Sequence, residues 1–125
     1  MRLLLDTHIF IWAVTGSRAL TKPARLAIEE ADQVFVSAAS IWEIEIKSRL
    51  GKIEADIREL VKAVESSGFL ELPVRSVHAA AVAELPLHHT DPFGRLLIAQ
   101  AMAEPLKLLT ADRVLAEYTD LAVLA

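Results

Sequence analysis

Four acidic residues stand where carboxylates can share a site: Asp6, Glu43, Asp91 and Asp112. Asp6 directly follows the apolar run Leu3-Leu4-Leu5. Asp112 comes two residues after Leu106-Lys107-Leu108-Leu109-Thr110. Glu43 falls in the first turn of a helical pattern that follows Val34-Phe35-Val36, and Asp91 stands before Pro92 at the start of another. Carboxylates that converge repel one another and raise each other's pKa. A hard divalent cation removes that penalty, and an oxygen-only donor set in a chain without cysteine points to Mg²⁺ or Mn²⁺. Such ions activate water and stabilise the charge of phosphoryl transfer, the chemistry of acidic nuclease sites. Each acid also has a plain structural role. Asp6, Asp91 and Asp112 can cap helix N-termini. Glu43 can complete a capping box with Ser40 or pair with Lys47 four residues on, worth about 0.2–0.5 kcal/mol. Capping, however, does not require four acids to meet at one edge of a fold.

The elements that must position them alternate along the chain. Leu3-Leu4-Leu5 reads as a buried strand and Thr7–Val14 as a helix. Thr21-Lys22-Pro23 is a helix start, with Leu26, Ile28 and Ala31 continuing it. Val34-Phe35-Val36 is a second strand. Ser40–Leu50 reads as a helix with Gly51 just beyond its end, and Asp56–Ser67 as an amphipathic helix ended by Gly68. Phe69–Leu72 is a third strand, Arg75–Leu85 an Ala-rich helix, Asp91–Ala103 a further helix, and 106–110 a fourth strand. A short helix over 112–118 and a strand over 121–124 close the pattern. Strands separated by helices pair in parallel through crossovers, so the expected fold is α/β, a three-layer α/β/α sandwich on a mostly parallel sheet. Ligands in such folds bind beyond the carboxyl ends of the strands, where the strand order reverses. Asp6, Glu43 and Asp112 should lie there, with Asp91 able to join them.

The 125 residues suit one domain over 1–125, with a core buried without staples. A 54% hydrophobic content with a net charge of −4 excludes disorder, and the lack of Cys excludes disulfides and cysteine-based zinc sites. No apolar run reaches the ~18 residues of a membrane span, and the opening six residues are too short for a signal peptide, so a soluble cytoplasmic protein is expected. The acidic balance argues against bulk electrostatic binding of nucleic acid. It leaves room for an enzyme that meets one phosphate through a metal, because ions held by the acids reverse the local charge.

Taken together, Leu3–His8, Ser37–Ile44 with Lys47, His89–Phe93 with Arg95–Ala101, and Leu109–Asp112 resemble the PIN domain, and more narrowly the VapC-type toxins of bacterial toxin–antitoxin pairs. The resemblance covers essentially the whole chain in order. It implies a PIN-like fold and a metal-dependent ribonuclease acting on RNA, inhibited by a cognate antitoxin and commonly a homodimer. Asp6 and Glu43 match the family's first two acids, Asp112 its late acid, and Thr110 the neighbouring hydroxyl. One position departs. Many relatives read Asp-Pro-Phe-Asp-Arg where this chain has Asp91-Pro92-Phe93-Gly94-Arg95, so either Asp91 supplies the third carboxylate or the site is impaired and the chain serves as a protein-binding module.

Other features carry less. His88-His89 reads as a loop contact rather than a metal pair, and Trp12 and Trp42 as core or dimer-interface anchors rather than base-stacking platforms. Lys47 and Arg95 suit either phosphate contact or neutralisation of a nearby carboxylate. Arg18, Lys22 and Arg25 form a solvated basic face. There is no glycine-rich phosphate loop and no Gly-x-Ser-x-Gly turn. A receiver-type phosphoacceptor domain is the rival from another class, but it needs an acid pair after the first strand and this chain has one acid there.

Overall fold

The computed structural model describes residues 1–86, 91–117 and 122–124. Its centre is a parallel sheet of β1 (Arg2–Leu5), β2 (Gln33–Ser37), β3 (Leu70–Leu72), β4 (Lys107–Thr110) and β5 (Ala122–Leu124), in the order β3-β2-β1-β4-β5. The chain builds outward from β1 through β2 to β3, then crosses back to lay β4 on the other side of β1. The strand order therefore reverses between β1 and β4, which places the ligand crevice of an open α/β sheet beside the end of β1. Receiver-type sheets run in the order 2-1-3-4-5, so the observed order removes that alternative.

The register explains the apolar runs. Leu3, Leu4 and Leu5 pair with Val34, Phe35 and Val36 on one side and with Lys107, Leu108 and Leu109 on the other. Side chains alternate between faces along a strand. Leu3 and Leu5 accordingly pack with Ile9, Phe10, Val34, Val36, Ile44 and Leu60, beneath helices α1 (Thr7–Thr15), α2 (Lys22–Glu30), α3 (Ala38–Arg49) and α4 (Ile57–Ser66). Leu4 packs the opposite way with Leu72, Leu97, Ile98, Leu108 and Leu115, beneath α6 (Pro92–Ala103) and α7 (Arg113–Ala116). Both faces of β1 are covered, which is why it is uniformly apolar rather than alternating. Helix α5 (Ser76–Ala81) packs on α6. The expected three-layer sandwich is the observed architecture.

Local signals set most boundaries. The hydroxyl of Thr21 accepts from the Ala24 N–H with Pro23 in the first turn, and Asp56 accepts from the N–H groups of Arg58 and Glu59. The Gly16 φ of 66° ends α1 in the left-handed region that favours glycine.

Several boundaries shift by a single residue, and two differ by more from the sequence reading. Helix α3 begins at Ala38 directly from β2, with Ser37 rather than Ser40 as its cap, its Oγ accepting from the Ala39 N–H at 3.1 Å. Ser37 is still paired with Leu72 in the sheet, so the strand's register fixes where the helix starts and carries Ser40 and Glu43 a turn deeper. Arg75–Leu85 is not one helix. After α5 it tightens to a 3-10 turn over Val82–Glu84, and Leu85 is extended at ψ 141° because Pro86 follows it. Arg95 clamps this turn, donating to the carbonyls of Val82 at 3.0 Å and Pro86 at 3.1 Å. Among the described residues no helix is long and apolar enough to cross a membrane. The expected helix to residue 118 and the strand start at 121 extend outside the described residues, as does the His88-His89 pair.

Phe10 is fully buried and joins α1 to the sheet. Phe10→Ala should lower the unfolding free energy by about 3–5 kcal/mol in urea denaturation, whereas a loss under about 1 kcal/mol would mean that α1 is not docked as described.

Candidate active site

At the carboxyl end of the sheet, where the strand order reverses, a cavity of about 460 Å³ is lined by Asp6, His8, Trp12, Glu43, Lys47, Asp91, Ala111, Asp112 and Leu115. All four acids singled out in the sequence face this one space. They arrive from four directions: the end of β1, the second turn of α3, the start of α6 and the turn after β4.

Three of the four are helix caps, as expected. Asp6 Oδ1 accepts from the Thr7 N–H at 2.7 Å, Asp91 Oδ1 from Phe93 at 3.2 Å, and Asp112 Oδ1 from Val114 at 2.9 Å. Each cap fixes one carboxylate oxygen against its own helix, so the helix dipole favours the negative charge there. Asp6 Oδ2 accepts from the Thr110 hydroxyl at 2.7 Å, and that hydroxyl in turn accepts from the Asp112 N–H at 3.0 Å. Thr110 thus ties the first acid to the backbone that carries the last.

Glu43 is held differently. It is 4% exposed, and its Oε1 accepts from the Thr7 hydroxyl at 2.6 Å, with Ser40 Oγ 2.9 Å from that same hydroxyl. Its Oε2 accepts from Lys47 Nζ at 2.5 Å. The sequence reading paired Glu43 with Lys47 correctly but passed over Thr7. The signal was present: a hydroxyl immediately after Asp6, at a helical position where Asp6 already provides the cap.

The electrostatics show what burying the first acid costs. Burial pushes the Asp6 carboxyl above its ordinary pKa, and the hydrogen bonds from Thr110 and Thr7 only partly offset it; the charge of Glu43 raises it further, while His8 opposes. Partial burial works against the charge of Lys47, yet the hydrogen bond and charge of Glu43, with Asp91 and Asp6 beyond, hold its pKa above the usual lysine range. The cavity behaves as a site short of positive charge.

Position 94 is informative. Gly94 is buried, and a Cβ placed there would lie 3.4 Å from Asp91 Oδ2 and 3.0 Å from Leu115 Cδ2. A side chain at 94 would therefore start in ordinary contact with the Asp91 carboxylate, and Leu115 is the neighbour that would have to give. The two tryptophans separate. Trp12 is half-buried against the core and reaches the cavity wall. Trp42 is 62% exposed and is not a core residue; it stacks edge-on against Phe93, with ring centroids 5.6 Å apart.

The donor chemistry suits a hard cation: carboxylates from four elements around one space, with no sulfur or amide among the four. Among the described residues no three of the His, Asp or Glu side chains stand together as a ready ligand set.

An acidic cleft at the switch point of a parallel sheet, with acids from the ends of β1 and β4, defines a class of α/β protein in which carboxylates gather around one small space. The chain belongs to the PIN domain family, whose sequence pattern matches residues 3–121. It is 31% identical over 121 residues to Ribonuclease VapC22 of Mycobacterium tuberculosis, covering 92% of this chain and 90% of that one. Its fold is shared by VapBC2 of Rickettsia felis, solved with a fragment of its promoter DNA, at a TM-score of 0.69 and 14% identity, covering 100% of this chain and 98% of that one. A toxin–antitoxin complex from Klebsiella pneumoniae has a TM-score of 0.69 at 19% identity, covering 97% and 95%. FitAcB of Neisseria gonorrhoeae has 0.66 at 18%, covering 98% and 96%.

The raised Asp6 pKa carries a sign. An acid harder to ionise in the fold than in the unfolded chain costs stability as pH rises through its unfolded-state value, near ~3.9, to its raised folded value, and that cost persists above. Asp6→Asn keeps an oxygen for the Thr7 cap and removes the charge. In metal-free protein its melting temperature should exceed the wild type's at pH 7, with the difference closing at acid pH. A lower melting temperature at pH 7 would show that Asp6 is there to stabilise the fold.

Proposed function

We propose that this protein is a divalent-metal-dependent endoribonuclease acting as the toxin of a type II toxin–antitoxin pair in the cytoplasm. The observation that carries the reading is the convergence of Asp6, Glu43, Asp91 and Asp112 on one cavity at the sheet's switch point. Membership of the PIN domain family and the likeness to a ribonuclease support it.

The four carboxylates would hold Mg²⁺ or Mn²⁺, which supplies water activation and neutralises phosphoryl charge when bound. The chain's own residues do the rest. Thr110 and the Thr7 N–H keep the Asp6 oxygens in place, the Thr7 hydroxyl orients Glu43, and the α6 cap fixes Asp91 beside Gly94. Trp12 and Leu115 give the same cavity part of its apolar wall. The substrate is RNA, and hydrolysis by water leaves 5′-phosphate and 3′-hydroxyl ends. The partner is an antitoxin whose basic side chain enters the acidic cleft, in line with the toxin–antitoxin complexes that share this fold. A homodimer belongs to the same reading.

The test is cleavage of single-stranded RNA by the purified chain with Mg²⁺ or Mn²⁺. Activity lost on chelation, with 5′-phosphate ends, is expected; cleavage that survives chelator, or ends bearing 2′,3′-cyclic phosphate, would contradict the hydrolytic scheme.

The role of Asp91 has its own check. Asp91→Asn, which keeps the cap, should lower kcat roughly 100-fold or more, and adding Gly94→Asp to that variant should restore part of it. A wild type that is inactive until Gly94→Asp is introduced would favour the impaired, protein-binding alternative.

A further inference from the structure

Helix α3 carries two Glu-to-basic pairs at i,i+4 spacing, and they differ in a way that spacing does not explain. Glu45 and Arg49 meet at 2.8 Å in solvent, with side chains 38% and 72% exposed. That is an ordinary surface pair, held loosely by screened charge. Glu43 and Lys47 meet at 2.5 Å on the face turned to the acidic cavity, with side chains 5% and 29% exposed. Lys47 is the one lysine or arginine among the described residues lining that cavity, and it also feels the charges of Asp91 and Asp6.

Leaving the imidazole of His8 out of the count, four carboxylates against one ammonium give the described lining a formal −3. One divalent cation brings it to −1. A phosphodiester, itself an anion, then enters a site with no positive charge to spare except the ammonium of Lys47. The lysine stem is long and flexible, and its charge is a compact point with three rotatable donors, the geometry of a phosphate contact rather than of a fixed structural bridge.

We propose that Lys47 is the substrate-phosphate residue of this site: it neutralises Glu43 while the carboxylates hold no cation, and turns to a non-bridging oxygen of the RNA phosphate when they do. The inference rests on the nuclease reading above and adds a residue to it. Two consequences separate Lys47 from a structural partner of Glu43. Removing it takes a competing cation away from the carboxylates, so divalent-ion affinity rises. It also removes one phosphate contact, so catalysis falls and depends less on salt.

The experiment compares wild type, Lys47→Met, Lys47→Gln and Lys47→Arg, each checked for cooperative thermal unfolding. Mn²⁺ affinity is measured calorimetrically without RNA, and kcat/KM on single-stranded RNA across a range of salt concentrations. Lys47→Met and Lys47→Gln should bind Mn²⁺ several-fold more tightly. They should lose roughly 100-fold in kcat/KM, with the slope of log kcat/KM against log salt shallower by about 0.7. Lys47→Arg, which keeps the charge, should recover most of the rate. Unchanged rate and salt slope in Met and Gln variants of an active enzyme would overturn the proposal alone. So would a loss of rate accompanied by weaker Mn²⁺ binding and an unchanged slope, which would make Lys47 a positioning residue for Glu43. A wild type that neither binds Mn²⁺ nor cleaves RNA would overturn the nuclease reading, and this inference with it.

Discussion

The structure depends on one unfavourable arrangement: four carboxylates turned toward the same small space, one of them almost fully buried. Desolvation opposes this, with a smaller contribution from the charge of Glu43, and together they raise the Asp6 pKa. A fold that needed these acids only as helix caps would have no reason to aim them at each other. Other helices in the same chain start without one, Thr21 and Ser37 capping with hydroxyls. The cost is met locally by fixed donors. Backbone N–H groups at three helix starts, the hydroxyls of Thr7 and Thr110 and the ammonium of Lys47 each hold a carboxylate oxygen.

The sheet makes that arrangement rigid. β1 lies at the centre, covered on both faces, and the Asp6 N–H donates to the Leu109 carbonyl at 2.9 Å, so the first acid is locked to the strand that delivers the last. Substituting a buried leucine of β1 would therefore disturb the site as well as the core. The same topology explains how acids more than a hundred residues apart in sequence become neighbours. The reversal of strand order between β1 and β4 brings the ends of an early and a late strand together, and α3 and α6 lean in from the two sides.

Much of this was legible in the sequence. Leu3-Leu4-Leu5 announced a strand buried on both faces, Thr21-Lys22-Pro23 and Asp91-Pro92 announced helix starts, and the acids at the strand ends announced where the crevice would be. The failures have physical causes. Ser40 and Glu43 match a capping box, but Ser37 takes the cap because the β2 register ends there, and no local pattern encodes register. The Arg75–Leu85 helix breaks early under the joint pull of Pro86 and the Arg95 clamp, a contact from a distant element. Trp42 was expected in the core or at a dimer interface, and its place on the open face of α3 against Phe93 removes the core half of that expectation. The hydroxyl of Thr7 was passed over despite its place beside Asp6, because its partner Glu43 becomes a neighbour only once α1 and α3 pack together.

Gly94 gains its meaning only in three dimensions. In the sequence it reads as a missing acid, whereas in the fold a Cβ there would lie within 3.4 Å of the Asp91 carboxylate, so the two positions face the same space. The central claim, that these four carboxylates together hold a divalent cation, is tested most directly by titrating Mn²⁺ into isotopically labelled protein and following paramagnetic broadening of the amide resonances. The account predicts that the signals of Asp6, Thr7, Glu43, Asp91 and Asp112 broaden first and together, and that Asp6→Asn abolishes the effect. Broadening scattered over the exposed acids, or confined to one helix start, would contradict it.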